Sequence, residues 1–397
     1  MRQNNTTDPP PILIIGAGIA GLALAQGLRL RSIPFRLFER YPQSRSSQGH
    51  RFRISKDGQA ALDSVLSHEL QDLLRRTEAE RYRFEPRYVD VRKLEFAKQT
   101  PIDPVSMPVD RAWIRLLLAL NINDAIEYEK EFASYRVIGD QVQVRFVDGS
   151  TALGRLLVGA DGIRSRVRTQ LQPDRKLLDL ERWLMWGRTP LTDDLKKDVP
   201  KDLLSWCMYQ DQESNVQIIV DPMMWSKSVR QESNARLPDF PGYVYWVVCT
   251  APFQYSKVLP KTTGEKRQFL DRITETWHPA LKLLLSSANH DLTSCIPVLS
   301  SKPDIGIGSA SQTGLVTLIG DAAHPMSPMG GSGGDTAVRS AADLALTIAE
   351  RGVTKSSIAD FEARMEARAK ERIEHSFKGG QKFWRGKDWT EYNEVDI

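Results

Sequence analysis

Cysteine is scarce in this chain: Cys207, Cys249 and Cys295 are the only three in 397 residues. Three scattered thiols make neither a disulfide framework nor a zinc cage, and they read as buried free thiols in a reducing compartment. An excess of one charge is missing as well. The 54 basic and 50 acidic residues leave a net charge of +4, too little and too dispersed for a nucleic-acid-binding face. Long apolar runs are also absent. Residues 11–28 come nearest, but four glycines interrupt them and Arg29 and Arg31 follow, whereas a membrane span needs ~20 mostly apolar residues. Met1–Pro10 is a poor signal-peptide start, so the glycosylation acceptors at Asn4 and Asn5 carry no weight. The expectation is a cytoplasmic protein without a membrane span or nucleic-acid partner. HExxH, Cys/His clusters and the GxSxG elbow are lacking too, which leaves metal hydrolysis and acyl transfer without support.

What is present is ordinary globular composition, 41% hydrophobic and 26% charged. The length suffices for two or three domains. Pro11–Ile15 is a short apolar strand that stops at glycines. A helical pattern follows to about Leu30, and Phe35–Phe38 forms a second strand ending at Glu39. This is a βαβ unit. Gln141–Val147 alternates with period two, and Leu156–Gly159 is a buried-strand pattern that runs into Asp161-Gly162. From Glu181 to Cys295 the character turns to sheet, with Trp183, Trp186, Trp206, Trp225 and Trp246. Leu315–Ile319 returns to the buried-strand style. Two helices are predicted at about Asp335–Arg351 and Lys355–Phe377, and the polar tail from Lys378 reads as weakly structured.

Three glycine-bearing motifs carry chemistry. In Gly16-Ala17-Gly18-Ile19-Ala20-Gly21, Gly16 permits the turn and Gly18 lets the backbone approach a pyrophosphate. Gly21 lets helix and strand pack closely. Glu39 lies 39 − 21 = 18 residues beyond, where an acid accepts from an adenosine ribose; NAD and FAD both remain open at this point. The second motif is Gly159-Ala160-Asp161-Gly162. Taken alone it is a turn, and Arg164, Arg166 and Arg168 after it read as a solvated helix face. The third runs from Gly320-Asp321 through His324, Pro325 and Pro328 to Gly333, Gly334 and Asp335. Its acid can accept from a polyol, and its glycines expose amides that can stabilise negative charge at a helix start.

In this order, with Glu39-Arg40 and Val109-Asp110-Arg111 between them, the motifs resemble the group A flavoprotein monooxygenases of the para-hydroxybenzoate hydroxylase type, along nearly the whole chain. The resemblance implies an α/β fold: a Rossmann-like FAD-binding domain, an inserted mixed or antiparallel β-sheet substrate domain, and C-terminal helices. Residues 1–75, 100–180 and 300–350 would form the first and 76–99 and 181–299 the second, with 351–397 a terminal helix and tail. It implies one FAD, with Gly16, Gly18 and Gly21 at the pyrophosphate and Glu39 at the ribose. Arg40 and Arg111 would surround the adenosine end, Asp161 would serve FAD and NAD(P)H use, and Asp321 would meet the ribityl chain. Pro328 to Gly333, with Gly331 between, would line the isoalloxazine. Gly49-His50-Arg51 resembles a family stretch, which makes Arg51 a cofactor residue with Arg53 the runner-up.

The expected activity is NAD(P)H-dependent oxygenation, hydroxylation or epoxidation, of an aromatic or polycyclic small molecule in secondary metabolism. It would proceed through a flavin C4a-hydroperoxide, whose decay is prevented by excluding water. NADPH or NADH would bind transiently, because only one dinucleotide fingerprint is present. Trp186, Met208, Trp225 and Tyr245 are the candidate wall residues, and the assembly a monomer or homodimer. The alternatives are a flavin oxidase, dehydrogenase or cyclisation-promoting enzyme without oxygen transfer, a non-catalytic flavin sensor, and an NAD dehydrogenase. Two departures stand out. Asp335 replaces a customary Asn and would bring a carboxylate to the flavin ring, and Ser340 stands where an acid is common. His324 reads as structural rather than as a base.

Overall fold

Glycine and unbroken apolar strands govern the first βαβ unit. The computed structural model describes residues 9–44, 51–82, 88–96, 106–306 and 314–397. Asn4, Asn5, Gly49 and His50 lie outside the described residues. Strand β1 (Ile12–Ile15) is buried at every position and α1 (Ile19–Leu30) follows it. β2 (Phe35–Phe38) pairs with β1 in parallel. The lack of alternation in β1 fits a strand covered on both faces. β3 (Arg51–Ile54), α2 (Lys56–Val65), α3 (His68–Thr77) and β4 (Tyr88–Asp90) come next. β5 (Met107–Asp110) pairs antiparallel with β3 and leads into α4 (Arg111–Ala119). Asp110 caps α4, accepting from the amides of Ala112 and Trp113 at 2.8 and 3.0 Å.

After the short β6 (Ile126–Glu127), β7 (Phe132–Ile138), β8 (Gln141–Phe146) and β9 (Thr151–Gly154) form an antiparallel meander. β8 buries Val142, Val144 and Phe146, every second residue, as its period-two pattern requires. β10 (Leu156–Gly159) returns beside β1, and α5 (Arg166–Leu171) follows.

A second sheet is then built from β11 (Leu177–Pro190), β12 (Cys207–Asp211), β13 (Val216–Met223), β14 (Tyr243–Thr250) and β15 (Ser294–Ser300). Among these strands lie α6 (Asp193–Asp198), α7 (Val229–Glu232), α8 (Thr263–Ile273) and α9 (Pro279–Ser286). β16 (Val316–Leu318), α10 (Gly333–Arg351), α11 (Lys355–Trp384) and β17 (Asn393–Val395) complete the chain. The first sheet is wholly parallel in the order β16-β10-β1-β2-β6. The second runs β15-β11-β14-β13-β12-β4, with β17 added to β11. It is antiparallel except where β4 joins β12. The fold is therefore α/β with a mixed second sheet, as expected.

The tail departs from expectation. Its helix continues past Phe377 to Trp384, and β17 then pairs with residues 177–179 of β11. Trp384 is fully buried, and ion pairs Lys302–Glu394 and Lys387–Glu181 tie the segment down. The dense Lys, Arg and Glu of the tail hide these few anchoring aromatics in a composition reading. The helix after the glycine loop also starts two residues early, at Gly333.

Candidate functional site

Backbone geometry makes the floor of the site. Gly16 has φ +106°, and a Cβ there would meet the Ala160 carbonyl oxygen at 2.5 Å. A Cβ on Gly21 would meet the Gly16 oxygen at 2.0 Å. Gly18 differs, since its nearest neighbour would be 4.0 Å away. Gly16 and Gly21 are glycine for internal packing, whereas Gly18 keeps open the space above the start of α1. That start has no side-chain cap, so its amides are available to an anion.

A cleft of about 200 Å3 opens at this point. Gly16, Gly18, Glu39, Arg40 and Asp161 all line it, so the first two motifs share one recess. Glu39 stands at the end of β2. Its Oε2 accepts from the Ala17 amide at 2.9 Å and its Oε1 from the Tyr41 amide at 3.1 Å. The carboxylate thus holds the glycine loop and retains lone pairs for a ribose. Asp161 accepts from Ser165 Oγ at 2.5 Å and the Arg166 amide at 2.9 Å. Burial pushes its carboxyl up, and these hydrogen bonds oppose the shift.

The third motif closes on the first. Gly320 has φ +60°, and a Cβ there would sit 2.8 Å from the Ala20 methyl in α1. Asp321 beside it is solvent-accessible yet surrounded by protein, as a side chain lining a deep trough is. Burial raises its carboxyl, and the guanidiniums of Arg111 and Arg168 pull it back down. Arg168 is buried and donates to the Ala322 carbonyl at 3.3 Å, joining the second motif to the third. The reading of these arginines as a solvated face therefore fails for Arg168. Pro328–Gly330 forms a tight turn, Gly331 has φ +61°, and α10 begins at Gly333 without a side-chain cap.

Two of the cofactor candidates stand apart from this cleft. Arg111 does not line it. It faces Asp321 and Tyr245, its guanidinium 5.8 Å from the Phe52 ring, and its Nε has no partner. One turn further along α4, Arg115 reaches the glycine loop, donating to the Ala17 carbonyl at 3.3 Å. Arg51 does not line the cleft; it contacts Asp221 of β13. Strand alternation explains this. Arg51 and Arg53 point to the second sheet, while Phe52 packs against Gly334. Asp335 also behaves differently from expectation. Its Oδ1 accepts from the Ser55 amide and hydroxyl, each at 2.8 Å, so the carboxylate is turned toward the start of α2.

The roof is one face of the second sheet. Trp186, Val247, Ile219 and Met208 form a row across β11, β14, β13 and β12. Arg188, Tyr245 and Asp221 form the next row. Three of the four predicted wall residues thus share a face. Trp225 lies beyond the end of β13, its indole N–H donated to the Thr77 carbonyl at 3.1 Å. The opposite face buries Trp183, Met185, Trp246 and Tyr209 against α8 and α9, so Trp183 and Trp246 are core. Asp110 also reaches the roof, accepting from Tyr243 Oη at 2.6 Å, with Arg188 3.8 Å away. Burial raises the Tyr243 and Tyr245 phenols, which stay neutral.

Burial pushes Asp221 up, Arg51 down to about 10 and Arg53 down to about 9. Contact with two guanidiniums holds the Asp221 carboxylate ionised against that trend. His324 is buried, with Nε2 3.1 Å from Ser340 Oγ, and burial lowers it to about 4. It is neutral and structural, and Ser340 serves as its partner. Sequence reasoning missed Arg115, Asp221 and Arg188. None belongs to a local motif, and each is defined by a partner far along the chain.

The fold and the recess define a dinucleotide-binding α/β protein with a second sheet over its cofactor trough. The FAD binding domain family matches residues 124–374, and the chain belongs to it. A dual O-methyltransferase/FAD-dependent monooxygenase of Phaeosphaeria nodorum is 29% identical over all of this chain and 48% of its own length. The chain thus spans about half the length of that relative. An FAD-dependent monooxygenase of Emericella nidulans is 25% identical over 87% of this chain and 88% of its own. Among solved structures, a protein of Photorhabdus luminescens described as an FAD-containing monooxygenase superposes with TM-score 0.81 and 25% identity, covering 95% of this chain and 99% of that one. The family is that of the group A FAD monooxygenases, and FAD is the cofactor its domain is named for. The residues present fit the group: open space over Gly18, uncapped amides at two helix starts, and an acid enclosed within the trough. No helix among the described residues is long and apolar enough to cross a membrane.

Proposed function

We propose that the chain is an FAD-dependent, NAD(P)H-using monooxygenase for a planar aromatic or polycyclic small molecule, serving secondary metabolism. The observation that supports the reading is the approach of the Gly320 bend to Ala20 of α1, which brings the third motif against the first, while Arg168 ties the second motif to the third. Bound FAD supplies electron transfer from NAD(P)H and activation of O2. The chain's own groups bind and orient. The α1 amides at Gly18 hold the pyrophosphate, Glu39 the ribose and Asp321 the ribityl chain, while Arg40 and Asp161 close the adenosine cleft. The turn Pro328–Gly333 would line the ring, and the uncapped start of α10 would favour negative charge there. Trp186, Met208 and Tyr245 roof the trough and exclude water.

We propose the domain division as well, with residues 1–75, 100–180 and 300–350 holding the cofactor and 76–99 and 181–299 the substrate. In residues 351–397, β17 belongs to the second sheet. The test is NADPH and NADH consumption by the FAD-loaded chain over a panel of planar phenols, with mass spectrometry of products made under heavy-isotope O2. Product containing the isotope supports the reading. Turnover without incorporation would replace it with an oxidase or dehydrogenase, and a protein that retains no FAD would overturn both.

A further inference from the structure

One end of the second sheet carries an exposed face, part apolar and part cationic, that serves neither the trough nor the core. Three segments meet there: the loop 251–261 after β14, the turn 212–215 between β12 and β13, and residues 382–387 at the end of α11. Gln254 Nε2 donates to the Ser214 carbonyl at 2.6 Å, and Asn215 Nδ2 to the Trp384 carbonyl at 3.4 Å, so side chains tie the three together.

The loop holds two apolar side chains out of the protein. Phe253 is 69% exposed and Val258 62%. The loop itself is anchored. Gln254 Oε1 accepts from the Ala251 amide at 3.2 Å, and the Tyr255 carbonyl accepts from Arg272 at 2.9 Å. Phe253 has φ +62°, a left-handed conformation that disfavours an aromatic residue, and its ring stands edge-on to Trp183 at 5.2 Å. Backbone strain and apolar exposure thus fall on one residue, and contact with an apolar medium removes the second cost.

Cations surround this tip. Lys257, Lys382 and Arg385 are exposed and form no ion pair among the described residues, and Lys382 lies 5.7 Å from the exposed Tyr88 ring. The acids nearby are engaged. Glu213 pairs with Arg92, Glu181 with Lys387, Glu265 accepts from the amides of Lys261 and Thr262, and Asp388 caps its own turn. An apolar tip rimmed by unpaired cations complements a bilayer surface, where acyl chains lie beneath anionic phosphates. Two side chains fall well short of the ~800 Å² that a protein partner buries on each side, whereas a fluid surface adapts to a small tip. The face also lies close to the trough. Gly379 of α11 packs on Met329 of the Pro328–Gly330 turn, and Lys382 is 382 − 379 = 3 residues on, about one helical turn.

We propose that this end of the second sheet docks on an anionic lipid bilayer, with Phe253 and Val258 entering the acyl boundary and Lys257, Lys382 and Arg385 meeting headgroup phosphates. Docking sets the trough beside the phase in which planar apolar molecules concentrate, and it does not depend on the oxygenase reading. The test is flotation of the FAD-loaded chain with vesicles of phosphatidylcholine alone and of phosphatidylcholine with phosphatidylserine. Partition onto the mixed vesicles should be roughly 10- to 100-fold stronger, and high salt should remove most of the difference. Phe253→Gly should weaken it by about tenfold with FAD content unchanged, since glycine accepts the φ of this position. Lys257→Glu combined with Arg385→Glu should abolish the preference for phosphatidylserine.

Equal partition onto the two compositions, or none onto either, would overturn the docking face. So would undiminished partition in Phe253→Gly. Should that variant not fold, Phe253→Asn, which also tolerates the left-handed region, takes its place under the same criterion. A wild type that self-associates in sedimentation velocity and is dispersed by Phe253→Gly gives the face to a second copy and overturns the bilayer equally.

Discussion

The floor and the roof of the trough are built from different materials. The floor is backbone: glycines at 16, 18, 21 and 320 set where the chain bends and how close helices approach. The roof is side chain: Trp186, Arg188, Asp221 and Tyr245 project from one face of a sheet whose other face is ordinary core. A backbone floor suits a cofactor common to a whole family, because it recognises phosphates and polyols through amides. A side-chain roof can change residue by residue without disturbing the strands, so it suits selection of a substrate.

The comparison can be broken most sharply at two glycines. Gly21→Val has no room, its Cβ falling 2.0 Å from a backbone oxygen, and should prevent stable folding, a loss exceeding about 4 kcal/mol. Gly18→Val has space within the protein, so it should fold with near-native circular dichroism yet retain no FAD. If both variants behave alike, the division between packing and cofactor glycines is wrong. On the roof, Asp221→Ala leaves the buried Arg51 guanidinium without its carboxylate and should cost roughly 3–5 kcal/mol in denaturant unfolding. A neutral outcome would mean that Arg51 finds another partner.

Two buried titratable groups behind the cofactor loop test whether burial there acts as in the roof. His324 falls from 6.5 to about 4, so the folded state binds fewer protons than the unfolded state between those values. Its contribution is complete above pH 6.5 and is lost as pH falls toward 4, roughly 3 kcal/mol in all. Glu362, which accepts from Thr317 Oγ1 at 2.7 Å, rises from 4.5 to about 7. Its contribution is complete below 4.5 and is lost as pH rises through 7. The two therefore oppose each other. Their slopes nearly cancel from pH 4.5 to 6.5, so Glu362→Gln should uncover a gain in stability with pH there and His324→Asn a decline; unchanged slopes in chemical unfolding would refute both assignments. The smallest effect expected is at Asp321. Its replacement by Ala removes one enclosed acceptor and should weaken FAD by ~1–3 kcal/mol in an absorbance titration, with the fold intact.

Legibility followed the same division. β1, β2 and β10, Gly16, Gly18, Gly21 and Glu39 could be read because each is specified by neighbours a few residues away. The alternation of Arg51, Phe52 and Arg53 was visible too, but not the identity of the partner. Asp221 lies 221 − 51 = 170 residues from Arg51, in a segment whose only sequence signal was β-rich composition. Arg111 and Arg115 differ by one helical turn, and assigning the right one to the glycine loop needed the position of α4 relative to α1. The anchoring of the tail through Trp384 and β17 was hidden for the same reason.

By itself, then, the sequence determined the bends, the parallel strands and the cofactor family, because a positive φ or a backbone contact closer than a Cβ allows is a demand that glycine alone meets locally. Only the tertiary structure decided which charges face each other above the trough. Pairing between side chains depends on strand order and register across the second sheet, and these are set by the burial of the whole apolar face rather than by any residue's neighbours.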